Sequence, residues 1–316
     1  MSGPILVTGA GGFIGARVAA GLSDRGHAVR RWDHRTPDLR DPAARATLVK
    51  GASAVVHCAA ELEPDADPTA VHAINHLATV ALAEDAARAG ASHFVFLSSQ
   101  AAIGWRADAG LVDESTTCAP STVYGASKRA AEVALEAANL GTCRWTALRP
   151  PTVYAAEERR NFLLLAKGAA LGLHPLPGGG HNRMSFCHAE NLVEAVMHVL
   201  SVRLEGIVHV ADERPVTLAH ALRTLADAAG RPSFALPVPL SWTLAAASGI
   251  ETVFERLGRT APLSPARVGT VTADCALDVS RLSRSGWVPP VGFEEGVEET
   301  VRAYQADGLL PLSRPR

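Results

Sequence analysis

A glycine-rich loop directly after the first apolar segment constrains the fold of this chain more than any other feature. Ile5–Thr8 predicts a strand, Phe13–Arg25 predicts a helix, and glycines between and within them follow the spacing GxxGxxG. Glycine allows a tight turn, lets backbone N–H groups approach a diphosphate and permits close helix–strand packing. At a strand–helix junction, this otherwise weak pattern predicts a dinucleotide-binding loop. The expected cofactor contacts are Gly9, Gly12, Phe13, Ile14 and Gly15.

Short apolar segments alternate with alanine-rich helical segments through the first half of the chain. Ala52–His57 is an apolar run of the kind that forms a strand buried on both faces. Repeated strand–helix units predict an α/β fold, a Rossmann doubly wound parallel sheet with right-handed crossovers. The other predicted strands are His27–Trp32, His93–Leu97 and Arg144–Leu148, and the predicted helices are Thr69–Ala89 and Ser121–Ala138.

The second half of the chain is less regular and predicts a smaller, partly discontinuous C-terminal lobe that binds the substrate. We assign residues 1–154 to the dinucleotide-binding domain and residues 155–316 mainly to the substrate lobe, with 188–212 returning to the first domain. The predicted elements are the helices Phe162–Leu171, Asn191–Leu200 and Leu218–Ala229, the loop Pro175–Gly180 and the strand Ile207–Ala211.

One run, from Phe234 to Ile250, contains no charged residue. Prolines and serines interrupt it, and it is shorter than the roughly 20 apolar residues that span a bilayer. We interpret it as a buried or interface helix after a proline-rich turn, and we expect no stable membrane insertion.

Composition argues against several kinds of partner. The formal net charge of −2 and the sequence pI of about 6.6 attract neither nucleic acid nor anionic lipid. The five cysteines lack any CxxC or metal-ligand spacing, which predicts free thiols, a reducing compartment and no metal site. No basic segment or cleavage site precedes Ile5, so we expect a cytoplasmic protein.

An acidic residue, Asp33, ends the second predicted strand eighteen residues after Gly15. A carboxylate there accepts hydrogen bonds from the adenosine ribose and repels a 2′-phosphate, which favours NAD over NADP. Arg35 keeps NADP possible as the cofactor, because a guanidinium binds a 2′-phosphate. The alternative interpretation of Asp33 is an acidic loop residue that is simply exposed to solvent. The remaining candidates near the cofactor are Asp38 and Leu39 at the adenine, and Cys58, Ala59 and Ala60, three small residues after the third strand.

Tyr124 and Lys128 share one face of the predicted helix Ser121–Ala138, because residues four apart are neighbours on a helix. An ammonium beside a phenol stabilises the phenolate, so we expect the pKa of Tyr124 to lie below its usual value of about 10. Such a phenol can exchange a proton near neutral pH. The pair therefore predicts a proton carrier beside a nicotinamide ring, and Lys128 also suits the nicotinamide ribose.

Ser98, Ser99 and Gln100 follow the predicted strand His93–Leu97, at the sheet edge where doubly wound folds bind ligands. The Ser99 hydroxyl can donate to a substrate oxygen and stabilise developing charge there. Gln100 is a candidate substrate contact, and a simple serine cap of the strand end is the alternative.

These motifs, taken in chain order, resemble the extended short-chain dehydrogenases/reductases, the NAD-dependent epimerase/dehydratase family, over essentially the whole chain. The resemblance implies a catalytic triad, a small-molecule substrate bound by the later segments, and a homodimer formed through two helices. It also implies that Asn75 supports the active-site backbone and that the segment with Pro151 and Val153 binds the nicotinamide end. The residues that carry it are Gly9, Gly12, Gly15, Asp33, Ser99, Tyr124 and Lys128, of which the last three form the implied triad.

Departures from the family pattern narrow the chemistry. Gln100 and the residue after it replace the Asp-Glu pair of the family's 4,6-dehydratases, so we discount dehydration. Arg183 precedes Met184, which stands where the family's sugar-nucleotide epimerases place a diphosphate-binding arginine, so Arg183 is a candidate phosphate contact. Asn191 replaces an aspartate of the family and is expected to be structural, and His188 is expected to be a satisfied core histidine.

The C-terminal segment 262–290 is more similar to the 3β-hydroxysteroid dehydrogenase and dihydroflavonol reductase branch, which acts on apolar alcohols and ketones. The leading interpretation is therefore an NAD(P)-dependent alcohol dehydrogenase or ketoreductase that acts on a secondary alcohol or ketone. Segment 177–192 keeps a sugar-nucleotide 4-epimerase or 4-ketoreductase as the alternative. A non-catalytic dinucleotide-sensing regulator is more remote, because Tyr124 and Lys128 are both present.

Overall fold

Short strands alternate with helices in the residues that the computed structural model describes, 3–33, 38–63, 66–104, 110–259, 261, 263–274 and 276–312. The strands are β1 (Ile5–Thr8), β2 (Val29–Trp32), β3 (Ala54–His57), β4 (His93–Leu97), β5 (Leu111–Val112), β6 (Arg144–Arg149), β7 (Thr152–Tyr154), β8 (Leu173–Pro177), β9 (Arg183–Met184), β10 (Phe186–His188), β11 (Gly206–His209), β12 (Val216–Thr217), β13 (Phe234–Val238) and β14 (Ala276–Leu277). The helices are α1 (Phe13–Asp24), α2 (Pro42–Val49), α3 (Pro68–His72), α4 (Thr79–Arg88), α5 (Val123–Ala137), α6 (Asn161–Ala169), α7 (Ala189–Val202), α8 (Leu218–Ala228), α9 (Leu240–Arg256), α10 (Pro265–Thr272), α11 (Ser280–Arg284) and α12 (Phe293–Ala306).

Six of the strands form one parallel sheet in the order β2–β1–β3–β4–β6–β11. After β2 the chain crosses back over β1 to reach β3, so the direction of winding reverses between β1 and β3. Folds of this kind bind ligands at the carboxyl ends of the strands beside such a reversal. The sheet confirms the predicted α/β class, and its last strand, β11, comes from the second half of the chain. The predicted domain boundaries stay a prediction.

A separate hydrophobic layer covers each face of the sheet, because successive side chains of a strand point to opposite faces. Val56 and Val95 pack with α1 and α7, whereas their neighbours Val55 and Phe94 pack with α2, α4 and α5. All four side chains are fully buried. Each such burial stabilises the fold by roughly 1.5–3 kcal/mol, so ordinary apolar packing fixes the sheet on which the polar site is built.

A third hydrophobic cluster, between α6, α8 and α12, surrounds a buried carboxylate. Asp212 Oδ2 accepts a hydrogen bond from the Tyr154 hydroxyl at 2.9 Å, and Oδ1 accepts from the His188 backbone N–H and from Asn191 Nδ2, both at 2.7 Å. Asn191 thus holds Asp212 in place. The His188 ring is buried against Tyr154, but neither of its nitrogens has a hydrogen-bond partner among the described residues. The expectation of a satisfied histidine is therefore wrong.

Three sequence-based expectations for the second half differ from the structure. The predicted loop over residues 175–180 is partly strand β8, which pairs with β13, and β13 replaces the turn expected before α9. Of the two interpretations of the uncharged run, the buried helix is wrong, since Ala247 is the only buried residue of α9 and Trp242 is 71% exposed, whereas the interface helix stays a prediction. In the part of the chain that is described, no helix is both long and apolar enough to cross a membrane.

The Asp212 carboxyl makes the stability of the fold depend on pH. Burial raises its pKa to about 6, although its hydrogen bonds act in the opposite direction. Because the folded state favours the protonated carboxyl, the contribution of Asp212 to the free energy of unfolding should be complete below about pH 4, and about 3 kcal/mol of it should be lost as the pH rises through about 6. Asp212→Asn keeps an acceptor for His188 and Asn191 without the charge, and should not show this fall. Urea denaturation of both proteins across this pH range measures the difference, and parallel stability curves would contradict it.

Candidate active site

The glycine-rich loop leaves the N-terminus of α1 open to a ligand. Gly12 is the N-cap residue, no side chain caps the helix, and its first turn carries no acidic residue, so backbone N–H groups and the helix dipole remain available to an anion. Gly9 has a φ of +68°, and a Cβ there would lie 2.7 Å from the backbone nitrogen of Ala59. A Cβ on Gly15 would collide with the carbonyl oxygen of Gly9. The loop therefore requires glycine at both ends, and its shape fits a diphosphate. Phe13 and Ile14, in the first turn of α1, are half-buried beside it.

Asp33 lies beside this loop at the end of β2. A Cβ placed on Gly11 would lie 3.4 Å from Asp33 Oδ2, so the carboxylate is close to the loop and suits the adenosine ribose. Arg35 lies outside the described residues. Asp38 Oδ2 accepts a hydrogen bond from Arg40 Nε at 2.8 Å, which lowers the pKa of Asp38. Leu39 is buried in the core, so of this pair Asp38 alone exposes a side chain.

The cofactor crevice is the space between the carboxyl ends of β1 and β3. The segment Cys58, Ala59 and Ala60 follows β3, lies on the side of this crevice opposite the glycine-rich loop, and is half-buried. The Ala59 backbone N–H donates to Thr8 Oγ1 at 3.4 Å, which joins this segment to the strand before Gly9. Burial raises the pKa of Cys58 to about 12, so its side chain stays a thiol at neutral pH. Four of the five cysteines are free in the structure, and Cys275 lies outside the described residues.

The three residues expected to form the triad come together at the carboxyl end of β4. Ser99 follows this strand, Tyr124 and Lys128 lie on α5, and the Ser99 hydroxyl hydrogen-bonds with the Tyr124 phenol. Lys128 Nζ donates to the backbone oxygen of Leu97 at 2.7 Å and lies 5.7 Å from the centre of the Tyr124 ring. The arrangement places a hydroxyl, a phenol and an ammonium beside the crevice.

The expected low pKa of Tyr124 is not observed. Burial raises the pKa of Tyr124 to about 12, and only the hydrogen bond with Ser99 acts against it. Burial also lowers the pKa of Lys128 to about 8. The physical reason is that Lys128 Nζ points to the carbonyl of Leu97 rather than to the phenol oxygen, so desolvation outweighs the attraction between the two groups.

A fully buried ion pair, which the sequence reasoning missed, lies directly behind the triad. Glu132 accepts hydrogen bonds from Arg149 Nε at 2.8 Å, from Arg149 Nη2 at 2.6 Å and from the Ser98 hydroxyl at 2.6 Å. Glu132 follows Tyr124 and Lys128 at the next i+4 step along the same helix face, and that spacing is the signal that could have revealed it.

Asn75 connects the two halves of the site. A π-helical segment, Ala73–Ala78, joins α3 to α4 and holds Asn75 fully buried. Its Oδ1 accepts from the Glu61 backbone N–H at 2.7 Å, and its Nδ2 donates to Glu61 O at 3.0 Å and to Ser127 Oγ at 3.1 Å. The crevice segment after β3 and the helix that carries Tyr124 are thus held by one side chain.

The residues expected around the substrate and the nicotinamide end are more dispersed. Gln100 is buried, and its backbone N–H donates to Pro150 O at 2.8 Å. Pro151 and Val153 are half-buried in the segment from β6 into β7. Arg183 lies beside Asp274, whose Oδ1 accepts from the Arg183 backbone N–H at 2.5 Å and lies 3.9 Å from its Nε. The guanidinium is therefore partly neutralised by a neighbour.

Two other features lie outside this constellation. A cavity of about 620 Å³ opens at the β11 edge of the sheet, where Trp145, Ile207 and Arg281 line it, and we give it no part in the site because the triad lies elsewhere. Within the described ranges, no three His, Cys, Asp or Glu side chains are placed to hold a metal ion.

Comparisons with known proteins place the chain in a family. The model of the NAD dependent epimerase/dehydratase family matches residues 5–210, and the chain therefore belongs to that family of NAD-dependent enzymes. It is 29% identical to UDP-glucose 4-epimerase from Vibrio cholerae, with 95% of each chain covered. It is 26% identical to 3 beta-hydroxysteroid dehydrogenase/Delta 5-->4-isomerase from Mycobacterium tuberculosis, covering 96% of this chain and 90% of the relative. Among solved structures, MoeE5 in complex with UDP-glucose and NAD superposes with a TM-score of 0.72 at 25% identity, covering 96% of this chain and 99% of that chain.

The ion pair behind the triad should be critical for stability. Glu132→Gln removes the charge that neutralises the buried Arg149, which should lower the free energy of unfolding by about 3–5 kcal/mol. Glu136→Gln makes the same change one helical turn later at an exposed position, and should alter stability by less than about 0.5 kcal/mol. Urea denaturation of the two variants measures both effects. Equal stabilities would show that the pair does not hold the structure together.

Proposed function

We propose that this protein interconverts a secondary alcohol and a ketone, with NAD as cofactor and Tyr124 as the acid/base. The observation that carries the proposal is the convergence of Ser99, Tyr124 and Lys128 at the carboxyl end of β4, beside a loop shaped for a diphosphate. Membership of an NAD-dependent family supports the same chemistry.

The cofactor fits the crevice between β1 and β3. The Gly9–Gly15 loop would hold its diphosphate, Asp33 its adenosine ribose, Lys128 its other ribose, and the segment with Pro151 and Val153 its nicotinamide end. Bound NAD supplies the hydride acceptor in oxidation and, in its reduced form, the hydride donor in reduction.

The proton in this reaction moves through Tyr124. Ser99 holds the substrate oxygen against the phenol, which donates its proton in ketone reduction and, as the phenolate, removes the hydroxyl proton in alcohol oxidation. Because burial raises the pKa of Tyr124 to about 12, the phenol is protonated at neutral pH. Reduction is therefore supported at neutral pH, and oxidation should accelerate as the pH rises.

A sugar-nucleotide 4-epimerase or 4-ketoreductase is the second candidate. The similarity to UDP-glucose 4-epimerase over 95% of each chain favours it, and an epimerase needs the same acid/base group. Arg183 is the candidate diphosphate contact, but Asp274 beside it reduces its attraction for an anion. A regulator without activity is the least supported, because Tyr124 and Lys128 lie together in the site.

The protein is further proposed to act in the cytoplasm as a homodimer that associates through the helices next to the site. Leu77 is 54% exposed in the π-helical segment before α4, and Val133 is 47% exposed on α5. Exposed apolar side chains on adjacent helices support an interface there.

Reaction products distinguish the two candidates. Incubation with NAD and secondary alcohols should yield stoichiometric NADH, followed by absorbance, whereas an epimerase would convert UDP-glucose to its epimer, followed by NMR, without accumulating NADH. Tyr124→Phe should lower turnover in either case by roughly 10²–10⁴-fold while NADH still binds, as measured by fluorescence titration. Unchanged turnover in this variant would remove Tyr124 from the mechanism, and epimer formation without NADH would favour the second candidate.

Cofactor selectivity tests the role of Asp33. The carboxylate repels a 2′-phosphate, so NADH should bind at least about tenfold more tightly than NADPH, and Asp33→Asn should reduce this ratio. Asp24→Asn, an equal change of charge at an exposed position at the end of α1, serves as the control. Tighter binding of NADPH to the unaltered protein would refute the assignment.

A further inference from the structure

We infer that His57, through Thr8 and Thr79, is a positioning residue that joins the cofactor loop to the helix turn carrying Asn75. His57 is the last residue of β3 and is 1% exposed, so its ring touches neither the crevice nor solvent. The inference concerns residues behind the site, and its effect on turnover rests on the proposed function.

Two threonines hold the two nitrogens of the His57 ring. Nδ1 lies 2.6 Å from Thr8 Oγ1, and Nε2 lies 2.9 Å from Thr79 Oγ1. Thr8 directly precedes Gly9, and its Oγ1 also accepts the backbone N–H of Ala59. The ring is therefore connected to both sides of the cofactor crevice, in addition to the helical turn beyond it.

Hydrogen-bond directions follow from the partner of Thr79. Its hydroxyl donates to Asn75 O at 2.9 Å, so the oxygen of Thr79 must accept from His57 Nε2–H. Nδ1 then carries no proton and accepts from the Thr8 hydroxyl. Burial lowers the pKa of His57 to about 3, and the neutral ring that this requires agrees with the geometry. One tautomer satisfies every group.

The chain of hydrogen bonds ends in the π-helical segment. The Thr79 backbone N–H donates to His76 O. In a regular α-helix this N–H would donate to Asn75 O instead, but here the Thr79 hydroxyl donates to that carbonyl. The wider turn is thus held by a side chain that His57 orients. Asn75 in turn forms hydrogen bonds with Glu61 and Ser127. A change in the position of His57 would therefore displace the helix that carries Tyr124 as well as the cofactor loop.

Substitutions at Thr79 test the link with little change in volume. Thr79→Val removes the hydroxyl, whereas Thr79→Ser retains it, so only the valine variant should lower kcat, by about tenfold, with NADH affinity unchanged. Hydrogen exchange at the Glu61 N–H, which donates to Asn75 Oδ1, should be about tenfold faster in Thr79→Val than in Thr79→Ser. This exchange measurement needs no substrate. Equal exchange and equal kcat in the two variants would overturn the inference.

Substitutions at His57 separate the two ends of the chain of hydrogen bonds. In His57→Asn, the shorter amide replaces Nδ1 and keeps the bond to Thr8, so NADH affinity should be retained while kcat falls. In His57→Gln, the longer amide reaches the Nε2 position and keeps the bond to Thr79. The Kd for NADH should therefore rise by about tenfold, with less effect on kcat. Thermal denaturation of both variants gives their Tm values. A lowered Tm without the expected separation of NADH affinity from kcat in either variant would indicate that His57 is a purely structural residue. Should the protein show no turnover at all, the exchange and NADH-binding results still decide the inference, separately from the proposed function.

Discussion

The geometry of the site depends on the hydrogen bonds and the ion pair that the buried Glu132 carboxylate forms. It joins the end of β4 through Ser98, the end of β6 through Arg149, and α5, on which it lies. A buried carboxylate is costly unless it is paired and hydrogen-bonded, so moving any of these three elements away from Glu132 would leave a buried group without its partner. Tyr124 and Lys128 precede Glu132 on the same helix face. Their position relative to Ser99 therefore depends on a charged group that lies behind the triad.

Short-range rules explain what could be predicted from sequence. The strands of the main sheet are recognisable because apolar side chains must fill both layers, and the glycines because a Cβ at Gly9 or Gly15 would strike backbone within the same turn or across the crevice. Tyr124 and Lys128 are recognisable because their spacing is helical. Apart from the contact of Gly9 with Ala59 across the crevice, each constraint acts within a few residues or within one strand–helix unit, so it leaves a local pattern.

Features that depend on distant partners could not be predicted. The strand β8 exists because β13, far along the chain, pairs with it, and Asp212 is buried because Tyr154 and Asn191 donate to it. The expectation that the pKa of Tyr124 lies below its usual value was wrong for a related reason. Spacing places an ammonium near the phenol, but only the fold determines that the ammonium is drawn to a backbone carbonyl and that desolvation prevails.

The two halves of the molecule differ in how they limit function. Behind the triad, Glu132 and Arg149 are fully buried as an ion pair, so the region around Tyr124 and Lys128 tolerates little change. The second half presents α9 with a single buried residue and Arg183 beside a neutralising Asp274. Dehydrogenases and epimerases need the same proton carrier, and differ in what holds the rest of the substrate. Under the proposed function, the choice between an apolar substrate and a nucleotide-linked sugar would therefore lie with the lobe whose surface is least constrained by packing, which explains why the triad alone does not reveal it.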